Sequence, residues 1–185
     1  MVVDLDQIRA TVHKTFDTVG PVTVHANGVV DVKWHIRMVR NMPRMPVQFG
    51  TVGGDFHCKD CDLETLWGSP HTVGGEYNCT DNKNTDLKFS PVRAGSLVCG
   101  GEQLTSLEGI SAELSSVVVK YFAHIPLLRL LSFDDITVYT DPYGEIFEPV
   151  QGILDKYKNV GNGKKNIIAC AFALNKAHFG GNARW

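Results

Sequence analysis

A chain of 185 residues is long enough to bury a real hydrophobic core and is expected to form one domain. With 43% hydrophobic residues, 21% charged residues and a formal charge of -2, it offers no general electrostatic case for nucleic acid. No stretch approaches the roughly 18 apolar residues of a membrane span, and Met1 to Asp6 lacks the basic region and apolar run of a secretory signal.

The predicted elements begin with a helix from Asp4 to Val19, with Leu5, Ile8, Val12, Phe16 and Val19 at helical spacing. Gly20 and Pro21 end it, and it is expected to cap one open end of the core formed by the rest of the chain. Val22 to Val24 and Val30 to Met38 flank Asn27-Gly28, a strong hairpin signal. The second strand alternates Val30, Val32, Trp34, Ile36 and Met38 with polar residues. A cationic run, Lys33, His35, Arg37, Arg40 and Arg44, is interleaved with Trp34 and Met38, so this basic patch is a candidate phosphate contact. A solvated strand face is the simpler reading. Met42 and Met45 lie 21 residues before Leu63 and Leu66, so a degenerate coil with a one-residue slip in its strand is expected to start here.

From Val52 to Tyr139 one short unit recurs. Phe56 to Cys58, Tyr77 to Cys79, Leu97 to Cys99, Val117 to Val119 and Ile136 to Val138 are apolar-variable-apolar triplets at steps of 21, 20, 20 and 19 residues. Gly53-Gly54, Gly74-Gly75 and Ala94-Gly95 precede the first three triplets and are expected to serve a tight turn. Leu63 and Leu66, Leu87, Leu104 and Leu107, and Leu127 come after the triplets in turn. Such a period is the signature of a solenoid, whose coils become stable only by stacking their strands into a parallel sheet.

The segment Phe56 to Leu63 fits the pattern L-x-L-x-x-(N or C)-x-L, with Cys61 at the Asn-or-Cys position. Tyr77 to Asn84 places Asn82 there, although Asn84 replaces the final Leu, and Leu97 to Leu104 has Glu102 instead. On these residues the chain resembles the leucine-rich repeat. The wording around Gly53 to Cys58 and Leu104 to Gly109 is similar to a group of short repeat proteins of tailed bacteriophages. That resemblance covers about the middle half of the chain. It implies a phage origin and no activity.

Beyond the repeats, Asp141 to Gly144 reads as a turn, Glu145 to Lys158 as a helix with Pro149 in its first turn, and Asn159 to Gly163 as a link. Lys164 to Phe179 reads as a second helix with Ile167, Ile168, Ala171, Leu174 and Phe179 inward. The expected architecture is thus α/β. It is a short leucine-rich-repeat-like solenoid of about four to five coils (52–140) between a helix-and-hairpin cap (1–51) and a two-helix cap (141–185), in a single domain.

Five Cys, odd in number and three of them on the repeat register, point to reduced thiols in a cytosol. Cys58, Cys61, Cys79 and Cys99 invite a zinc reading, and Cys58 with Cys61 a redox reading. One inward column of adjacent strands is close to straight, however, and cannot close a tetrahedron. Core packing is therefore the preferred account, with no metal or other cofactor.

The exposed strand face is the candidate binding site. Its middle column is His57, Asn78, Val98, Val118 and Thr137, flanked by Asp55 and Glu76 before it and by Lys59, Lys120 and Tyr139 after it. Val98 and Val118 would form an apolar centre inside a polar rim, which suits a protein interface. The alternative is that both are simply strand formers. His57 with Asp55 is one of many accidental acid–base pairs, and no catalytic motif is present. The expected function is non-enzymatic binding of a host or phage protein in the bacterial cytoplasm. A virion structural or assembly component is the first alternative, and an enzyme or nucleic-acid-binding protein using the basic hairpin the second.

Overall fold

Backbone pairing in the computed structural model follows the period of the triplets. The structure describes residues 4–140, 144–158 and 164–185, the last without the side chains of residues 164 and 165. Helix α1 (Leu5–Thr15) leads into β1 (Phe16–Thr18), β2 (Val22–Val24), β3 (Val30–Val32) and β4 (Ile36–Met38). The coils continue through β5 (Phe49–Val52), β6 (Phe56–His57), β7 (Thr72–Val73), β8 (Glu76–Asn78), β9 (Ser96–Cys99), β10 (Val117–Lys120) and β11 (Ile136–Thr140). Strand β12 (Glu145–Ile146) and helices α2 (Glu148–Tyr157) and α3 (Lys164–Lys176) complete the chain.

Among the described residues the main sheet has eight strands in the order β1-β4-β6-β8-β9-β10-β11-β12. From β4 to β11 every pairing is parallel, and β1 and β12 close the two edges antiparallel. The triplets align as the sequence predicts: His57 pairs with Asn78, Asn78 with Val98, Val98 with Val118, and Val118 with Thr137. Their inward residues, Phe56, Tyr77, Leu97, Val117 and Ile136 in one column and Cys58, Cys79, Cys99, Val119 and Val138 in the next, are at most 2% exposed. Phe56 stacks on Tyr77 with centroids 5.4 Å apart, and one hydrophobic cluster runs from Val12 to Leu174.

The solenoid is longer than expected, with about six coils. Ile36 pairs with Phe56 and Arg37 with His57 at a 20-residue step, so the first coil starts inside the supposed hairpin. The hairpin exists, since Val22 to Val24 pair antiparallel with Val32 to Val30. Its second strand does not run on to Met38. It breaks at Lys33 to His35, so that β3 joins a second, four-stranded sheet (β2-β3-β5-β7) and β4 joins the main sheet. Val30, Val32, Ile36 and Met38 keep their inward positions while Trp34 turns out at the corner, 51% exposed.

This corner recurs and explains the Gly-Gly pairs, which do not act through a left-handed turn. None of Gly53, Gly54, Gly74 and Gly75 has positive φ. Instead the corners stack backbone on backbone: Gly53 donates to Val32 O at 3.0 Å and Gly74 to Val52 O at 2.8 Å. A β-carbon on Gly53 would collide with the Lys33 carbonyl, and one on Gly74 with the Gly53 carbonyl.

Helix α1 is capped by Asp4, which accepts from Gln7 N at 3.0 Å. It stops four residues earlier than the periodicity predicts, because the next residues extend to pair with β4. Phe16 faces the core from a strand, and Val19 is 51% exposed. At the other end Glu145 and Ile146 are a strand and α2 starts at Glu148, with Pro149 in its first turn. Gln151 of α2 is 7% exposed and acts as an extra strand. Its Oε1 accepts from Val138 N at 2.8 Å and its Nε2 donates to Ile136 O at 2.9 Å. The expected turn at 141–143 and link at 159–163 lie outside the described residues. On α3, Cys170 and Leu174 are buried, whereas Ile168, expected inward, is 70% exposed beside Phe172 at 71%. The final residues latch onto the last coil: fully buried Asn182 donates from Nδ2 to Phe122 O at 3.0 Å and Ile125 O at 2.8 Å.

On the side of the coil away from the main sheet, Gly68, Phe89 and Gly109 occupy equivalent positions at φ of 96°, 67° and 97°. A side chain in this left-handed region costs about 1–2 kcal/mol, and Phe89 is 60% exposed, so packing offsets little of that. Phe89→Gly should stabilise the fold by about 1 kcal/mol, raising Tm by roughly 2–4 °C for a chain of this size. A lower Tm in thermal unfolding would refute the strain assigned here.

Candidate functional site: the outer face of the main sheet

Alternate residues of a strand point to opposite sides, so the parallel register that buries the Phe56 and Cys58 columns sets the residues between them outward in one row. Extended by the first coil, expected in degenerate form from Met42 and Met45, and by its edge strand, that row is Asp17, Arg37, His57, Asn78, Val98, Val118 and Thr137.

The polar end of the row is tied down. Asp55 Oδ1 accepts from Glu76 N of the next coil at 2.8 Å, and Asp55 N donates to His35 Nδ1 at 2.9 Å. Because that ring nitrogen accepts, the Asp55 Oδ2 lying 3.1 Å from it is a neighbour and not its hydrogen-bond partner. His57 pairs with Glu76, not with the Asp55 of its own coil, its Nε2 lying 3.3 Å from Oε1. Asn78 donates to the same carboxylate at 3.0 Å and accepts from Thr80 Oγ1 at 2.8 Å.

The apolar end is smaller than expected. Val98 is only 7% exposed, and Val118 is half-buried. Lys120 is not a free cation of the rim. Its Nζ reaches across an intervening coil to Asp81 Oδ1 at 2.6 Å, leaving the side chain 11% exposed. The stem passes Gly100, whose φ of 126° and close approach to Lys120 leave no room for a β-carbon. Lys59 approaches the other oxygen of Asp81 at 3.7 Å. Thr137 and Tyr139 are half-buried on β11.

The predicted basic patch is dispersed, Lys33 by the corner at Lys33 to His35 and Arg40 and Arg44 by the end of β4 at Met38. Lys33 lies over Trp34, its Nζ 5.5 Å from the ring centroid, Arg40 Nε donates to Lys14 O at 3.4 Å, and Arg44 sits 5.5 Å from the Trp67 ring. Arg37 alone joins the strand face. A hollow of about 480 Å³ opens on one side of Arg37 and His57, lined also by Asn41, Lys59, Asp60 and Asn78. A second, of about 290 Å³, opens on their other side against Asp17, His35 and Asp55. Arg37 was not expected on this face, although its 20-residue step to His57 is legible in the sequence.

The thiols serve packing. All five are free and buried, and burial pushes Cys58 and Cys99 up to about 12 and Cys79 well above its ordinary value. Among the described residues no group of three or more His, Cys, Asp or Glu is placed to hold a metal ion. A raised folded-state pKa stabilises the fold fully below the unfolded value of 9.0 and loses that contribution as pH rises towards about 12. Native protein at neutral pH should therefore show no thiol reactive towards an aromatic disulfide reagent within minutes, and five once it is unfolded in urea. A fast-reacting native thiol would contradict the closed core.

Among the described residues no helix is long and apolar enough to cross a membrane. No protein-family model, curated protein or solved structure matches the chain.

Proposed function

We propose that the chain is a non-enzymatic binding module that engages a protein partner through the outer face of its main sheet. The observation that carries this reading is the row from Arg37 to Thr137, in which charged, amide, apolar and hydroxyl side chains are held at strand spacing on a rigid parallel support. Two hollows flank its charged end. Solenoids commonly use such a surface for partners. The leucine-rich-repeat-like wording of Phe56 to Leu63 supports a repeat protein of that kind, and the wording around Gly53 to Cys58 and Leu104 to Gly109 supports a phage origin, with action on a host or phage protein in the bacterial cytoplasm.

An affinity capture from bacterial lysate, with and without nuclease, tests it by comparing the wild type with His57→Ala/Val118→Glu. Both positions are partly exposed, so the variant should fold. One protein retained by the wild type, lost by the variant and indifferent to nuclease is the expected result. Equal retention by both would rule out the face.

A second reading, a component of a virion or its assembly, is favoured by one observation. Ile168 and Phe172 stand one turn apart on α3, about 70% exposed. Sedimentation velocity separates the two readings, since a structural role requires a defined oligomer that Phe172→Glu dissolves.

A further inference from the structure

We propose that the hollow beside Arg37 is an anion-binding groove that receives an acidic, extended peptide segment of the partner, its carboxylates seated on Arg37 and Lys59. This deepens the binding-face reading and rests on it.

Three observations carry it. First, the Arg37 side chain is exposed at the heart of the face and its guanidinium makes no hydrogen bond or ion pair with another described residue. Its edge-strand partner Asp17 stands opposite in register, and no ion pair forms between them. A guanidinium carries five donors in a fixed fork that suits a carboxylate in two-point contact. Second, the groove lining is donor-rich. Arg37 and Lys59 outnumber the one carboxylate, Asp60, and Asn41 adds an amide whose Nδ2 already donates to Asp62 Oδ2 at 3.0 Å. Lys59 is half exposed, and its 3.7 Å approach to Asp81 is loose, because Asp81 is already held by Lys120 at 2.6 Å. Lys59 can therefore turn to a ligand without leaving a carboxylate unpaired.

Third, the spacing selects the ligand. Arg37 pairs with His57 on the neighbouring strand, and Lys59 lies two residues beyond His57. One strand across, about 4.8 Å, and two residues along, about 7 Å, set the Cα atoms of the two basic residues roughly 8 Å apart. Alternate residues of an extended peptide repeat at about 7 Å. The groove lies open along the sheet surface, and its lining crosses β4, β6 and β8, a width of about 10 Å that three extended residues would fill. The fitting motif is acid, any residue, acid, with the neighbouring His57 and Asn78 against the middle residue.

Fluorescence anisotropy of the full chain with a labelled Glu-Ser-Glu peptide, against its Gln-Ser-Gln counterpart, tests the proposal. Saturable binding of the acidic peptide is expected, weakened tenfold or more by Arg37→Gln and several-fold by Lys59→Gln, and weakened again between 50 mM and 300 mM salt. Both side chains are exposed and outside the core, so Tm should hold in both variants. Equal binding of the neutral peptide, indifference to Arg37→Gln, or no binding at all overturns it. So does tighter, Arg37-dependent binding of single-stranded DNA or inorganic phosphate, which would make the groove a phosphate site instead. If partner capture is lost in His57→Ala/Val118→Glu and kept in Arg37→Gln, the face stands and the acidic-peptide groove falls.

Discussion

Asn82→Leu is expected to cost about 4 kcal/mol, because one buried amide satisfies the backbone of two coils at once. Asn82 is 6% exposed, and its Oδ1 accepts from Cys61 N and Leu63 N, both at 3.0 Å, on the preceding coil. Its Nδ2 donates to Cys58 O at 2.8 Å and to Cys79 O at 3.0 Å. Leucine keeps the branching and the number of heavy atoms, though not the volume, and leaves four buried backbone groups without partners, each worth about 1–3 kcal/mol, with partial relief where water enters. At roughly 2–4 °C per kcal/mol for this chain length, Tm should fall by roughly 8–16 °C. Urea unfolding of both proteins measures it, and a loss below about 1 kcal/mol would show that the turn finds its hydrogen bonds elsewhere.

The larger effect belongs to Cys79→Asp, for which no cooperative unfolding transition is expected at neutral pH. Cys79 is 2% exposed between Cys58 and Cys99, and its neighbours offer no cation. An unpaired buried charge costs about 3–5 kcal/mol or more, a large share of the roughly 5–15 kcal/mol that holds a domain together. Protonation lessens the penalty, so burial should raise the carboxyl's folded-state pKa. Whatever fold survives is then favoured below the unfolded value of about 3.9 and is lost as pH rises from there through the raised folded value. Cys79→Val, similar in volume and apolar, should cost less than about 1.5 kcal/mol. Circular dichroism melts of the two variants decide the matter, and a well-folded Asp variant at neutral pH would mean that the column does not face inward.

Asn82 and Cys79 were legible in the sequence for different reasons. Cys79 belongs to a triplet whose apolar-variable-apolar pattern states its direction directly, and the same pattern placed His57, Asn78, Val118 and Thr137 outward. Asn82 was legible as the Asn position of a repeat, though nothing local says that its amide would serve both its own coil and the preceding one. Val98 went the other way. Its outward direction was right, yet only the assembled sheet brings neighbours close enough to leave it 7% exposed. The cationic run failed most. Alternation predicted one strand from Val30 to Met38, but a corner at Lys33 to His35 separates Arg37 from Lys33, and Arg40 and Arg44 lie beyond the end of β4 at Met38.

The 20-residue period by itself determined the solenoid, its register and its inward columns, since a repeated apolar pattern can be buried only by stacking like on like. Only the tertiary structure decided the rest: that the coils begin at Val30, that a second sheet runs beside the first, and that the glycine pairs exist for close approach of stacked corners. It also decided that Lys120 is tied to Asp81 while Arg37 is left facing an open groove. The physical reason is range. Burial pattern is written in neighbours along the chain, whereas backbone contact between corners and the choice of ion-pair partner depend on residues some 20 to 40 positions away that only folding brings together.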